Sequence, residues 1–283
     1  DSNLNLLAER GGGTVFFPKG IYHVGSTGSG RFYSGIQVTC SNIKLAGEGH
    51  WGAEIRPLFT HGGALLSVCP AFTNTPNYGQ EKDCSSASAI TNVTIEGLKF
   101  FDDDPDAHCN AYSAGTGQCG TEETHAIFLK DCDSCAARFN LIDSMGDEGI
   151  VWQGDDGIIF QNELVNTPSI RGGSAGGGGS ALEIEANRLI VSQNIVHGIQ
   201  ADPQGDGGSC TTACQNRNAA VAVATNMGAD ISGIQILDNW LYDIDAWHGF
   251  SINSSSAAVS DVRIAGNTVE MLNQATATNC EEA

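Results

Sequence analysis

Five segments of the chain share one local pattern built around an asparagine: ARFNLI, IIFQNEL, IVSQNIV, IQILDNWL and VRIAGNTV. The asparagines are Asn140, Asn162, Asn194, Asn239 and Asn267. An apolar residue stands three positions before four of them (Ile159, Val191, Ile236 and Ile264), with Ala137 in that place in the first. Another stands two positions after each: Ile142, Leu164, Val196, Leu241 and Val269. Alternating apolar residues mark strands with one buried face. An asparagine between two such strands marks a tight turn, because its side chain bonds locally to backbone and tolerates unusual dihedrals. Recurrence of such a unit is the signature of a solenoid, in which equivalent positions stack into columns.

A second strand pattern precedes each asparagine segment. It covers Ile36–Cys40, Leu66–Cys69, Ala126–Lys130, Gly149–Gln153, Ala181–Glu185, Ala220–Ala224 and Gly249–Asn253, which predicts seven coils of three strands each. Glu48 and Leu98 take the asparagine position in the first two coils. Insertions fall mostly just before a leading strand, at Asp102–Thr124, Thr167–Ser180 and Gln200–Asn218; Pro70–Thr91 instead follows one. The run RGGSAGGGGS is flanked by strands of one register, so it reads as a loop within a single domain, residues 1–283.

The composition fits many short strands and turns, with 36 glycines and few aromatics among 283 residues. A net charge of −20 argues against nucleic acid or an anionic membrane as partner. It is compatible with bound divalent cations or a salty habitat. No apolar run approaches a membrane span. Ten cysteines in an acidic, loop-rich chain indicate an oxidising compartment, and hence a secreted protein. Close pairs are Cys69/Cys84, Cys109/Cys119, Cys132/Cys135 and Cys210/Cys214, which leaves Cys40 and Cys280. Those two lie many strand spacings of about 4.8 Å apart, beyond any disulfide. Cys40 is expected to meet Cys69, one coil later, with Cys280 pairing outside this segment. The rival reading of Cys132-x-x-Cys135 as a zinc site lacks a second ligand pair. The sequons Asn92-Val-Thr and Asn253-Ser-Ser carry little weight. The chain starts at Asp1 without a visible signal peptide, as a mature form or a fragment would.

Gly11-Gly-Gly-Thr-Val-Phe-Phe-Pro-Lys-Gly-Ile-Tyr22 resembles the opening strand of the pectate-lyase-like superfamily of right-handed parallel β-helices. The preceding LNLLAE resembles the tail of that superfamily's N-terminal capping helix, and the asparagine ladder resembles the one between its second and third sheets. The resemblance implies an all-β right-handed parallel β-helix of three sheets over the whole chain. It is broad in function, covering polysaccharide lyases, glycoside hydrolases, uronate epimerases, tailspikes and adhesins. It implies that a site would lie on the outer face of the first sheet, here formed by the leading strands.

Strand alternation assigns the faces. Ile127/Leu129, Ile150/Trp152, Leu182/Ile184, Val221/Val223 and Phe250/Ile252 point inward. Phe128/Lys130, Val151/Gln153, Glu183/Glu185, Ala222/Ala224 and Ser251/Asn253 point outward. Lys130, Gln153, Glu183 and Glu185 therefore share one exposed patch, with His125, Asp147, Glu148, Arg171, Arg188, Arg217 and His248 beside it. Glu183 and Glu185 stand about 6.5–7 Å apart along one face. Such a pair, with the carbonyl of Gln153, can clamp calcium. Calcium would neutralise a uronate carboxylate and acidify the sugar C5 proton for a base. Glu-x-Glu with an amide one coil earlier resembles the calcium site of alginate and dermatan lyases. Those enzymes continue with a lysine base shortly after the pair and an arginine one coil further; this chain has Arg188 after the pair and Arg217 before the next leading strand, while the lysine motif is absent. With Lys130 and His125 from the outward patch, these are the catalytic candidates. Asp104-Pro-Asp-Ala-His108 is only faintly similar to the motif of alginate epimerases.

The same carboxylates suit a glycoside hydrolase, since about 6.5–9.5 Å separates an inverting acid/base pair. Asp147, Glu148, Asp155 and Asp156 are further candidates, but Gly154-Asp-Asp-Gly157 does not reproduce the paired aspartates of polygalacturonases and suits a turn. Trp247, with Tyr112, could stack on sugar; Arg171, His248 and Asn253 complete the substrate-binding set. The plainer reading leaves Glu183 and Glu185 as solvated outward residues and Lys130 as a surface lysine. Three functions follow: a cation-assisted lyase or epimerase on uronate polysaccharide, placed first; a hydrolase; and a non-catalytic fibre or adhesin. The sequence ends soon after Val269, which predicts an uncapped solenoid end met by a further domain or an oligomeric partner.

Overall fold

A computed structural model describes residues 7, 9–25, 35–49, 51–58, 63–69, 89–103, 124–146, 148–167, 180–199, 219–224, 228–244, 248–254 and 257–272. Its strands form three long parallel sheets that the chain visits in strict rotation. The leading sheet has seven strands: Ile36–Val38, Gly63–Val68, Thr124–Lys130, Ile150–Gln153, Ser180–Ile184, Ala219–Ala224 and His248–Asn253. The second and third sheets have eight strands each, starting at Gly13–Phe17 and Gly20–Val24 and ending at Val259–Ala265 and Thr268–Met271. A short extra pair, Ile90–Thr91 with Cys132–Asp133, bridges one corner. The chain is a right-handed parallel β-helix, the hand that parallel crossovers adopt.

All seven expected leading strands form. The opening glycine-rich segment adds an eighth turn of the second and third sheets, pairing Gly13–Phe17 with Ile43–Gly47 and Gly20–Val24 with Ala53–Pro57. Helical backbone remains at residues 7 and 9, and Leu7 packs against the core. The core is a set of stacked columns. Along the leading sheet one column runs Val38, Val68, Leu129, Trp152, Ile184 and Val223, all with 0–1% exposure. Burying each aliphatic side chain contributes about 1.5–3 kcal/mol. A one-residue slip would turn a whole strand's set to water, which fixes the register. At the last described coil the same columns are open: Ile252 is 50% and Ile264 41% exposed.

The asparagines form a continuous ladder, with Asn140, Asn162, Asn194 and Asn239 only 0–2% exposed. From Asn162 onward each Oδ1 accepts from the backbone N–H and the Nδ2 of the asparagine one coil earlier, as Asn162 does from Asn140 at 3.0 Å in both cases. Each Nδ2 also donates to the carbonyl three residues before the previous asparagine, for instance Asn162 to Ala137 at 2.9 Å. The bonds thus run between coils, more than within the turn. The left-handed backbone falls one residue earlier than expected: Phe139, Gln161, Gln193 and Asp238 have φ of 50–57°, and Gly266 has 70°. Leu98 begins the ladder, its N–H donating to Asn140 Oδ1. Glu48 does not occupy the asparagine position. Ala53 pairs with Leu98, and Glu48 sits in a wider turn where its carboxylate accepts from the Lys19 N–H.

Two further expectations are corrected. Cys40 is a free thiol, whereas Cys69 is disulfide-bonded to another residue. Val38 pairs with Val68, which sets Cys69 beside Thr39; Cys40 is one residue out of step and packs on the core side, while Cys69 joins an outer cluster. Cys132 and Cys135 form a buried disulfide, which removes the zinc alternative there. Cys84, Cys109, Cys119, Cys210, Cys214 and Cys280 lie outside the described residues. No helix among the described residues is long and apolar enough to cross a membrane.

Candidate functional site on the leading sheet

Strict alternation holds from the middle of each leading strand onward but fails at its start. Ala126 and Ile127, Ala181 and Leu182, and Ala220 and Val221 are consecutive pairs that both enter the core. An alanine is small enough for the chain to bend there without opening a gap. The bend turns the preceding residue outward, so the outer face carries three columns. The first runs Ala64, His125, Glu148, Ser180, Ala219 and His248. The second runs Ser67, Phe128, Val151, Glu183, Ala222 and Ser251. The third carries Lys130, Gln153, Glu185, Ala224 and Asn253.

Three carboxylates lie on this face, one in each column. Glu148 lies beside His125, its Oε2 2.7 Å from Nδ1, with both side chains largely buried. Glu185 Oε2 accepts a 2.7 Å hydrogen bond from Gln153 Nε2 across the coil boundary. Glu183 stands between them in the second column, with Val151 and Ala222 as its register neighbours. The next coil contributes Ala219, Ala222 and Ala224, so a floor of small side chains adjoins the acidic strand. On the other side Phe128 and Val151 are outward but only 2% and 4% exposed, clustered with Ala64 and Cys69.

Of the sequence candidates, Lys130, Gln153, Glu183 and Glu185 share the patch as expected, and His125 joins it through Glu148. Glu148 was no more than one of several spare carboxylates in the sequence, because its column depends on the bend that alternation does not reveal. His248 and Asn253 lie on the last leading strand, separated from the acidic strand by Ala219–Ala224. Arg188 is held elsewhere. It has left-handed backbone (φ 53°) at the corner between the leading and second sheets, where its guanidinium bonds Asp156 at 2.6 and 2.9 Å and Asp155 at 3.2 Å. The Asp156 hydrogen bonds and charge push Arg188 further up and hold the Asp156 carboxyl below its usual range. Asp155 itself accepts from the Asn187 N–H, and Asn187 from the Ser232 N–H, a second ladder along this corner. Arg171, Arg217, Trp247 and Asp147 lie outside the described residues, as do His108 and Tyr112.

For a cation, Gln153 Oε1 is a buried acceptor that takes no hydrogen bond from the described residues, and it lies one amide away from the Glu185 contact. A hard cation accepts such an oxygen together with carboxylates. Among the described residues no group of three or more His, Cys, Asp or Glu side chains is arranged to hold a metal. A calcium site here would therefore rest on Glu183, Glu185 and the Gln153 carbonyl.

No protein-family model matches the chain, and no curated protein matches it. Solved structures do. The tailspike protein of Escherichia coli bacteriophage HK620, in complex with a pentasaccharide, superposes with a TM-score of 0.61 at 13% identity, over 98% of this chain and 47% of the tailspike chain. A mutant of that tailspike in complex with a hexasaccharide gives 0.60 at 13% identity, over the same shares. The chain thus spans about half the length of these proteins and shares their β-helix.

Proposed function

We propose that this β-helix acts on polysaccharide outside the cell, binding the polymer across the outer face of its leading sheet and hydrolysing it with paired carboxylates. The observation that carries the reading is the trio Glu148, Glu183 and Glu185 on two adjacent coils. Glu185 is held by the Gln153 hydrogen bond, Glu148 lies 2.7 Å from His125 Nδ1, and an alanine floor lies alongside. The likeness to tailspikes held with bound oligosaccharides supports the ligand class. Glu183, between Val151 and Ala222, gives its proton to the glycosidic oxygen as the C–O bond breaks. Glu185, held by Gln153, takes a proton from water as the water oxygen attacks the anomeric carbon. The separation of about 6.5–7 Å along the strand leaves room for that water and corresponds to inversion.

A cation-assisted lyase or epimerase is the second reading, favoured by the buried acceptor Gln153 Oε1. Calcium on Glu183, Glu185 and Gln153 would neutralise a uronate carboxylate, with Lys130 as the base nearest in the third column. One experiment decides. The protein is incubated with neutral and uronate polysaccharides, with and without chelator, and products are assayed for reducing ends and for unsaturated uronate. New reducing ends without unsaturation, insensitive to chelation and lost in Glu183→Gln, support hydrolysis. Chelator-sensitive unsaturated ends, or C5-inverted uronate, overturn it in favour of the cation reading. Binding without turnover across the panel overturns both and leaves a structural solenoid.

A further inference from the structure

The outer face of the third sheet carries a stack of aromatic rings that the leading-sheet site does not use. In register, Ile195 pairs with Trp240 and His197 with Tyr242, and the next coil sets Thr268 beside Trp240. The His197 and Tyr242 rings are parallel, 4.6 Å apart with 6° between planes. Trp240 leans on Tyr242 at 4.6 Å and 39°. His197 Nε2 is anchored 3.0 Å from Glu163 Oε1, one coil earlier. The stack is therefore braced at its inner end. Trp240, at its outer end beside a small threonine, keeps 46% of its surface exposed.

We propose that Trp240, backed by Tyr242 and His197, is a saccharide-stacking platform that holds polymer at a distance from the leading-sheet carboxylates. The proposal rests on polysaccharide as the ligand class argued above. An exposed indole held by a second ring offers a flat apolar face with little side-chain freedom left to lose, which suits the C–H face of a pyranose. Such sites combine an aromatic surface with a few polar groups that fix orientation. Here Glu163 and Asp243 supply acceptors for hydroxyls. Burial and the charges of Glu163 and Asp243 push the Tyr242 phenol up, so it stays a donor in their company. The same acidic rim opposes a second copy of the chain as the occupant, since each copy carries −20. A neutral glycan meets no such repulsion.

A platform on one sheet and a cleaving site on another engage only a ligand long enough to reach both, so the platform raises affinity for polymer more than for short oligosaccharide. The test compares wild type, Trp240→Ala and Trp240→Phe in affinity electrophoresis through a neutral glucan, a neutral mannan and a polyuronate. Turnover of a short oligosaccharide of the retarding polymer and sedimentation velocity are measured in parallel. The expected result is about tenfold weaker retardation of Trp240→Ala, recovery in Trp240→Phe, and unchanged turnover of the short substrate. Retardation of Trp240→Ala equal to wild type overturns the platform while leaving the proposed function standing. A change of oligomeric state in Trp240→Ala overturns it in favour of a protein interface. If the wild type neither binds nor cleaves any of the three polymers, the proposed function fails and the platform with it.

Discussion

Gln153 Nε2 donates to Glu185 Oε2 at 2.7 Å, joining the third columns of two successive leading strands. The bond fixes one carboxylate oxygen of Glu185 and the orientation of its plane. In the hydrolytic reading that orientation aims the base at water. Gln153→Leu removes the donor without adding a charge, so kcat on a cleaved polysaccharide should fall about tenfold while KM holds. Glu183→Gln and Glu185→Gln remove the acid and the base and should each cost about 10²–10⁴ in kcat. Steady-state kinetics on the three variants check this; a pure KM effect in Gln153→Leu would reduce its role to substrate binding.

The asparagine ladder predicts a graded loss of stability. Asn162 makes bonds in both directions: to Asn140 N–H and Nδ2, to Ala137 O and to Asn194 Oδ1. Asn162→Ala strands several of these buried groups at once, and each stranded group costs about 1–3 kcal/mol. A loss of about 3 kcal/mol or more is expected in denaturant unfolding. Asn267 closes the described ladder and has a partner asparagine on one side only, Asn239. Asn267→Ala should therefore cost less than Asn162→Ala. Equal losses would mean that the ladder's effect is local to each turn.

Most of this frame is legible in the amino-acid sequence. Alternation marked all seven leading strands, and spacing marked the asparagines. The failures share one cause: they depend on how one coil sits on the next. Glu48 looked like a ladder position because IKLAGEG resembles the later turns, yet a wider turn carries Ala53 to that place. Cys40 and Cys69 end similar strings but are one residue out of register. Glu148 lies before its strand, and only the inward-facing Gly149 ahead of Ile150, the counterpart of the paired inward alanines in neighbouring leading strands, turns it to the outer face. Arg188 follows Glu-x-Glu closely in sequence, but a left-handed turn delivers it to Asp155 and Asp156.

Acid should weaken the fold through two carboxylates on the outer walls. Burial raises Glu54, but hydrogen bonds and charges from Lys99 and Arg56 outweigh it and hold the carboxyl below its ordinary 4.5. Glu96 behaves alike between Lys44 and Arg138, at 2.5 and 2.8 Å. A depressed folded-state value gives stability that is present above the unfolded value and lost as pH falls through the folded one. The loss should begin near pH 4.5 and continue below it. Solvent screening limits each cluster to at most about 1 kcal/mol. The double variant Glu54→Gln/Glu96→Gln should be less stable at neutral pH and lose less on acidification, as thermal melts across pH would record. A parallel acid loss in both proteins would assign the effect to other groups.

Gly154-Asp155-Asp156-Gly157 can be tested as structure against chemistry. A Cβ on Gly154 would fall 2.1 Å from the Cys132 carbonyl oxygen, and one on Gly157 would fall 2.3 Å from Trp152 Cζ2. Both glycines let one coil close onto its neighbours, and Trp152 Nε1 uses the closeness to donate to Gly154 O at 2.8 Å. Gly154→Ala forces backbone against backbone and should cost about 1–3 kcal/mol. Gly49, whose Cβ would meet nothing within 4 Å, is the control, and Gly49→Ala should be neutral or slightly stabilising. Asp156 spends its carboxylate on Arg188 at the corner. Asp156→Asn should therefore leave polysaccharide turnover unchanged while Glu183→Gln abolishes most of it. Loss of turnover in a folded Asp156→Asn protein would move the catalytic carboxylates from the acidic leading strand to this corner.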